Sequence, residues 1–237
     1  MTRETAEHAP ALLQLDADTA SVVAGGLSTL HGLIRTQSSV ADSYDLRVVG
    51  LPEPWAGVAP IAGEENEQRF ELALTPPRTT AAAARPWPFT LEAVSRESGR
   101  VAARVNATMI VKPYEDLVAR AHLRRRRGRA GKTFAIDVIN CGNAPSTVRL
   151  AATGSDDACD IRVDPPALRV AAGARVTARV RVAPRRTLWL GSAVEHRIDV
   201  EAPVPQVLAF RQLPWLRWRV PALMLFAMLA LTATPQP

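Results

Sequence analysis

The stretch from Thr133 to Pro184 limits the fold more than any other part of the chain. It reads FAIDVIN, CGNAP, STVRLAATG, DIRVDPPALRV, AAG and ARVTARVRVAP in turn. Apolar and polar residues alternate in short runs, and Gly, Asn and Pro separate the runs. That period of two belongs to half-buried β-strands joined by tight turns, not to helices. A weaker copy of the pattern lies between roughly Leu27 and Pro77. The fold class expected is all-β.

Met1 to about Pro10 is polar and reads as a frayed end. No apolar run follows its few charges, so no secretory signal peptide is expected. Ala11 to Leu15 predicts a first strand and Ala24-Gly25-Gly26 a turn. Leu27 to Arg35 predicts a strand, Gln37-Ser38-Ser39 a turn, and Tyr44 to Val48 the next strand. Leu51 to Trp55 breaks the ladder, because Pro52 and Pro54 have no amide hydrogen to donate. Glu64 to Gln68 reads as a solvated acidic turn. Arg69 to Leu74 then alternates cleanly, with Phe70, Leu72 and Leu74 on one face. After a loop from Thr79 to Pro88, strands are predicted over Phe89 to Val94 and Val101 to Val111, joined by a hairpin turn containing Gly99. Tyr114 to Leu123 reads as a strand, with a short helix as the alternative. Arg124 to Gly131 reads as a basic loop.

The two halves repeat. Thr36 to Gly50 corresponds without a gap to Asn140 to Gly154, Phe70 to Thr79 to Ala178 to Thr187, and Pro88 to Val94 to Glu195 to Glu201. Copies of about a hundred residues with about seven short strands each fit immunoglobulin-like sandwiches of a type without the Cys–Trp–Cys core. The organisation expected is a disordered N-terminus (1–10), a first immunoglobulin-like domain (11–112), a second (113–204), and a linker with a C-terminal transmembrane segment (205–237).

One set of residues carries a family resemblance. Asn140, Gly142, Asn143, Ala144 and Pro145 form its first motif, and Asp164-Pro165-Pro166 with Leu168, Val170 and Gly173 the second. Val180-x-Val182-x-Pro184 and Trp189-x-Gly191 complete it. The pattern resembles a group of actinobacterial membrane proteins with two tandem immunoglobulin-like domains before a transmembrane helix. Their domains are similar to the "NEW3" β-sandwich associated with alpha-galactosidases. Some members bear the label "hydrolytic protein" and occur beside contractile injection gene clusters. The first copy departs from the pattern, with Val58 to Gly63 where the Pro-Pro pair would stand. No nucleophile–base motif accompanies the "hydrolytic" label, so that activity is not carried over.

The tail points to a membrane, with a buried core helix or a stray C-terminal extension as the alternatives. Val220 to Ala233 is uncharged. As a helix its residues would span about 21 Å, short of the roughly 30 Å hydrocarbon core. Starting at Leu213 supplies the length if Arg217 and Arg219 extend to the interface. Trp215 and Trp218 stand where an aromatic belt belongs, and Leu223, Phe226 and Leu229 supply the apolar surface. With the arginines on the N-terminal side of the segment, the positive-inside rule puts both domains in the cytoplasm.

The chain carries a net charge of +6. Its arginines cluster at Arg124, Arg125, Arg126, Arg127 and Arg129, and again at Arg211, Arg217 and Arg219. The first cluster is a candidate contact for anionic surfaces. No aromatic stacking platform or recognition helix accompanies it, so nucleic acid is not the expected partner.

Catalytic chemistry finds little support. Gly128 to Thr133 imitates a phosphate loop, but it is too short and leads into a strand where such a loop opens a helix. His8, His31, His122 and His196 lack metal-ligand spacing. Asp156, Asp157 and Asp160 read as a solvated turn, and Trp55, Trp87 and Trp189 as packing or loop anchors. Cys141 and Cys159 both sit near turns, so a single bridge is sterically open, though reducing compartments disfavour it. No cofactor, metal or small-molecule substrate is expected.

The function read from these residues is non-enzymatic. It is a membrane-anchored scaffold or adaptor that binds a protein partner, with a contractile injection particle as the partner the resemblance implies. Two alternatives stay open: an outward-facing cell-surface module for protein or carbohydrate, and an enzyme as the family label implies.

Overall fold

The computed structural model describes residues 11–36, 43–64 and 67–216. The expectations for Met1 to Pro10, for the turn at Gln37 to Ser39 and for the apolar tail lie outside the described residues. The chain divides into two compact units. One comprises Met1–Glu115 with Gly142–Ala144, the other Asp116–Cys141 with Pro145–Pro237.

The first unit is built from β1 (Ala11–Leu15), β2 (Thr19–Val23), β3 (Ser28–Thr36), β4 (Tyr44–Val49), β5 (Ala56–Glu64), β6 (Glu67–Leu74), β7 (Pro86–Ser95) and β8 (Val101–Lys112). One sheet has the order β1-β3-β6-β5, the other β2-β8-β7-β4. In immunoglobulin lettering these are A-B-E-D and C-F-G. β2 is an added edge strand that runs parallel to β8. The alternation in β6 works as read: Phe70, Leu72 and Leu74 are at most 1% exposed. Leu72 and Leu74 pack with Leu30, Phe89, Met109 and Val111, and Phe70 with Leu13, Ile34 and Leu91, in a core drawn from both sheets. Each large side chain buried this way contributes about 1.5–3 kcal/mol. The break at Pro52 and Pro54 is a 3-10 turn, Glu53–Trp55, that buries the Trp55 indole edge-on to Trp87 at 4.9 Å.

The second unit repeats the plan with β9 (Leu117–Ala121), β10 (Arg125–Gly128), β11 (Lys132–Asn140), β12 (Ser146–Arg149), β13 (Ala151–Gly154), β14 (Cys159–Asp164), β15 (Ala167–Val170), β16 (Arg175–Pro184), β17 (Val194–Glu201) and β18 (Gln206–Gln212). β9-β11-β16-β14 is the A-B-E-D sheet and β10-β18-β17-β13 the other. After the Asp164-Pro165-Pro166 corner, where the 164–165 peptide is cis, the chain leaves β16 as β15 and pairs with β12. Phe134, Ile136, Val180, Ile198, Leu208 and Phe210 are fully buried between the sheets. The shared strand order makes both units immunoglobulin-like sandwiches, with the order of strands anticipated by the internal repeat.

Five readings are corrected. Thr19–Val23 is a strand where none was assigned, and so is Ala56–Glu64, which accommodates Pro60 at a sheet edge. The acidic "turn" contributes Glu64 to β5 and Glu67 to β6. Arg125–Gly128 is not loop but an edge strand, parallel to β18. The second domain does not stop at Val204, because Gln206–Gln212 forms its last strand between β10 and β17.

The two cysteines do not pair. Cys159 lies opposite Pro184, whereas Cys141 follows the end of β11 at which Ile139 lies opposite Arg175. Those two positions on β16 are roughly 30 Å apart at about 3.3 Å per residue. A disulfide requires Cα atoms within about 7 Å.

Candidate functional site

The outer face of the β10-β18-β17 sheet concentrates positive charge. Register sets Arg125 beside Ala209 and Arg197, and Arg127 beside Arg211 and Glu195. Successive strand residues point to opposite faces. Phe210 and His196 are buried in the core, so Arg125, Arg127 and Arg211 share the solvent side. Ala209 is small, and over it opens a concavity of about 310 Å³ lined by Arg125, Arg126, Arg127, Arg211 and Glu195. Arg197 is already held by Asp199 at 3.1 Å. Among the described residues, Arg125, Arg127 and Arg211 have no carboxylate within ion-pair distance. Arg124 is exposed just before β10, and its carbonyl accepts from the Ala209 amide at 2.7 Å.

The same edge leads to an exposed aromatic pair. Beyond β18 the Leu213 amide donates to the Gly128 carbonyl, and those of Trp215 and Leu216 donate to Leu188 and Trp189. The Trp189 and Trp215 rings meet at 6.3 Å, with the Arg129 guanidinium 5.6 Å from the Trp215 ring centre. Trp189 is 63% exposed, Leu190 54%, Trp215 49% and Leu216 42%. Apolar surface exposed in a cluster marks an interaction site more often than scattered single residues do. Of the sequence-nominated anchors, Trp215 is therefore placed beside Arg129. Arg217, Trp218, Arg219, Leu223, Phe226 and Leu229 lie outside the described residues. Among the described residues no helix is long and apolar enough to cross a membrane. Trp189 packs against Trp215, and Arg211 joins the first arginine cluster through strand pairing that linear spacing hides.

The first unit carries a larger, open concavity of about 530 Å³. Asp18, Thr19, Thr90, Asn106 and Thr108 line it, together with Gly50 and Phe89. The Thr90 hydroxyl and the Asn106 side-chain oxygen are 2.9 Å apart. Its polar groups are hydrogen-bonding side chains and one carboxylate, Asp18, which accepts from the Thr19 hydroxyl at 3.2 Å; the lining suits a polar ligand.

Buried polar groups elsewhere are structural. His196 faces Asp156 Oδ2 with Nδ1 at 3.1 Å and Gln212 Oε1 with Nε2 at 3.2 Å. Gln212 is fixed in turn by donating to the Arg186 carbonyl. Asp157 and Asp160 both pair with Arg185 and remain exposed, in keeping with a solvated acidic turn. On β11, Asp137 accepts from the Thr177 hydroxyl at 2.7 Å and lies 2.9 Å from His122 Nε2. The Thr177 hydrogen bond holds this carboxyl below the usual aspartate range. Burial opposes the shift, while His122 and Arg175 assist it. Lys132 and Thr133 open the strand β11, where a phosphate loop would open a helix. Among the described residues no His, Cys, Asp and Glu side chains gather into a metal-binding group.

The Asn140–Pro145 motif serves the fold. Asn140, fully buried, donates its amide to the Val170 carbonyl at 3.1 Å. Asn143, within the first unit, donates to the carbonyls of Ala82 and Lys112 and accepts from the Tyr114 amide.

No protein-family model and no curated protein matches the chain. Among solved structures, the chain is similar to domains 4 and 5 of the S-layer protein SbsC, at 12% identity and a TM-score of 0.34 over 59% of this chain and 69% of that one. The D00-D0 domain of intimin matches at 10% identity and a TM-score of 0.36, over 85% of this chain and all of that one. The Escherichia coli adhesin FdeC matches at 11% identity and a TM-score of 0.35, over 86% of this chain and 65% of that one. The immunoglobulin-like class is identified by the strand order of the two units, independently of these distant likenesses.

Proposed function

We propose that this chain is a non-enzymatic, membrane-anchored adaptor whose immunoglobulin-like units hold a protein partner at the bilayer. One observation carries the reading: the Trp189–Trp215 pair, with Arg129 over the Trp215 ring, sits where the chain leaves the second unit. In sequence that point is followed at once by Arg217, Trp218, Arg219 and the uncharged run Val220 to Ala233. Aromatic and basic residues next to an apolar run have the composition of a membrane interface. The run would be the anchor, and the positive-inside rule puts both units on the cytoplasmic side. Sandwich edges and end loops offer the binding surface for a partner. A contractile injection particle is the partner implied by the resemblance of the motifs to the actinobacterial group.

Protease accessibility in intact cells and then in lysed membranes tests this. Protection until lysis, with the chain in the membrane fraction, is the expected result and justifies capturing the partner. Digestion in intact cells would reverse the topology and favour an outward-facing surface module. A chain recovered wholly in the soluble fraction would sink the anchor.

A further inference from the structure

We infer that the arginine face of the second unit binds the phosphate-bearing headgroups of an anionic bilayer and sets that unit's orientation on the membrane; this rests on the anchored reading above. Three features combine. Register places Arg125, Arg127 and Arg211 on one solvent face around the small Ala209, which leaves a concavity of about 310 Å³. Their guanidinium groups have no carboxylate partner among the described residues, unlike Arg197 beside them. The apolar surface of Trp189, Leu190, Trp215 and Leu216 follows along the same edge, joined to it through Arg129.

A guanidinium presents a planar fork of donors that matches phosphate oxygens in pairs. Its weaker hydration lowers the cost of meeting a headgroup. A neighbouring tryptophan pair can enter the interface beside those headgroups, because an indole has an apolar body and one polar N–H. The combination favours a bilayer over nucleic acid, which would engage the charge but gain nothing from Leu190 and Leu216. Glu195 borders the cleft and limits the charge that it can accept.

The test uses the full chain with vesicles of phosphatidylcholine alone, and of phosphatidylcholine with a minority of phosphatidylglycerol. Three proteins are compared: the natural chain, R125Q/R127Q/R211Q, and a control of equal net charge, R149Q/R169Q/R179Q, whose exposed arginines lie on other strands. Each arginine at an anionic surface is worth roughly fivefold in affinity. The face variant should therefore lose on the order of a hundredfold of the preference for anionic vesicles, with the control nearly unchanged. Binding to neutral vesicles should be the same for all three.

An anionic preference that survives in the face variant, or falls equally in the control, overturns the inference. Tighter binding to a DNA duplex than to anionic vesicles, lost in the face variant, overturns it in favour of nucleic acid. Inorganic phosphate that displaces the chain at concentrations where sulfate does not would make a soluble phosphate the ligand and also overturn it. Failure of the natural chain to bind neutral vesicles, with the arginine-dependent preference intact, would remove the anchor and leave the headgroup site standing.

Discussion

The Phe70 ring occupies the space that a side chain on Gly32 would need. The two residues lie opposite each other on β6 and β3. A Cβ built on Gly32 would overlap the ring and lie 2.7 Å from the Gln14 carbonyl oxygen on β1. A rotation of the ring alone could not relieve the second contact, since it is with backbone. Gly32→Ala should therefore destabilise the first unit by roughly 2–3 kcal/mol, toward the upper end for overpacking in a well-filled core. Urea denaturation followed by Trp55 and Trp87 fluorescence would measure it. A cost below about 0.5 kcal/mol, the scale of a surface substitution, would mean that β1 shifts freely and that the sheet is looser than described.

Glu92 ties three strands together. Register places Arg47 on β4 and Arg104 on β8 on either side of it. Each carboxylate oxygen accepts from one guanidinium, at 3.0 and 2.9 Å. Both arginine side chains are well exposed, so removing either one should cost under about 1 kcal/mol. Glu92→Ala leaves two cations facing each other across the strand and loses both cross-strand pairs. It should cost more than either arginine substitution, at about 1–2 kcal/mol, and added salt should reduce the difference. Equal costs for all three would show that the carboxylate does not bridge them.

The Asp137 carboxyl makes the second unit sensitive to acid. Its folded value is depressed, chiefly by the Thr177 hydroxyl, with His122 and Arg175 assisting and burial opposing. A carboxyl depressed on folding contributes stability that is complete above its unfolded value, about 3.9. That contribution is lost as the pH falls through the lower folded value. Thr177→Val removes the hydroxyl and keeps the branched shape. It should cost about 1–2 kcal/mol at pH 6, a charge-assisted hydrogen bond being at stake. The gap from the natural chain should narrow at acid pH, once Asp137 is protonated in both. Melting curves across that range would read it, and a gap independent of pH would remove Asp137 as the cause.

The thiols should behave differently. Cys159 is buried, and burial, followed by the nearby Asp156 and Asp160, pushes its thiol up. Cys141 is exposed. The thiolate is the reactive species, so a thiol reagent at mild pH should label Cys141 in the native protein and reach Cys159 only on unfolding. Rapid labelling of both would mean that the β14 end of the sheet opens locally.

Much of the fold could be read from alternation. Phe70, Leu72 and Leu74 declared their strand because every inward position is a large hydrophobe. The internal repeat anticipated which strands correspond between the units. What escaped reading were strands lacking that signal. Arg125–Gly128 is an edge strand with arginine at each of its first three positions, so it carries no alternation of polarity. Gln206–Gln212 does alternate, but two of its inward positions are glutamines, Gln206 and Gln212, buried through side-chain hydrogen bonds to carbonyls. The arginine cluster could be seen along the chain. Its joining to Arg211 could not, because that needs the pairing of β10 with β18.

β18 separates two readings of where the second domain ends. A boundary at Val204 leaves Gln206–Gln212 as linker, whereas the structure sets it centrally between β10 and β17. Leu208 and Phe210 on this strand are fully buried in the core. A chain truncated after Val204 would lose both side chains, about 3–6 kcal/mol of burial at the usual rate per large residue. It would also leave β10 without its partner and β17 with an open edge, and His196 without Gln212. A domain's net stability is only about 5–15 kcal/mol. The truncated second unit should therefore fail to fold, while a chain ending after Leu216 keeps β18 and the Trp189 contacts and should fold. Heteronuclear NMR spectra of the two truncations would decide: dispersed second-unit resonances after truncation at Val204 would mean that β18 is dispensable and that the sandwich closes without it.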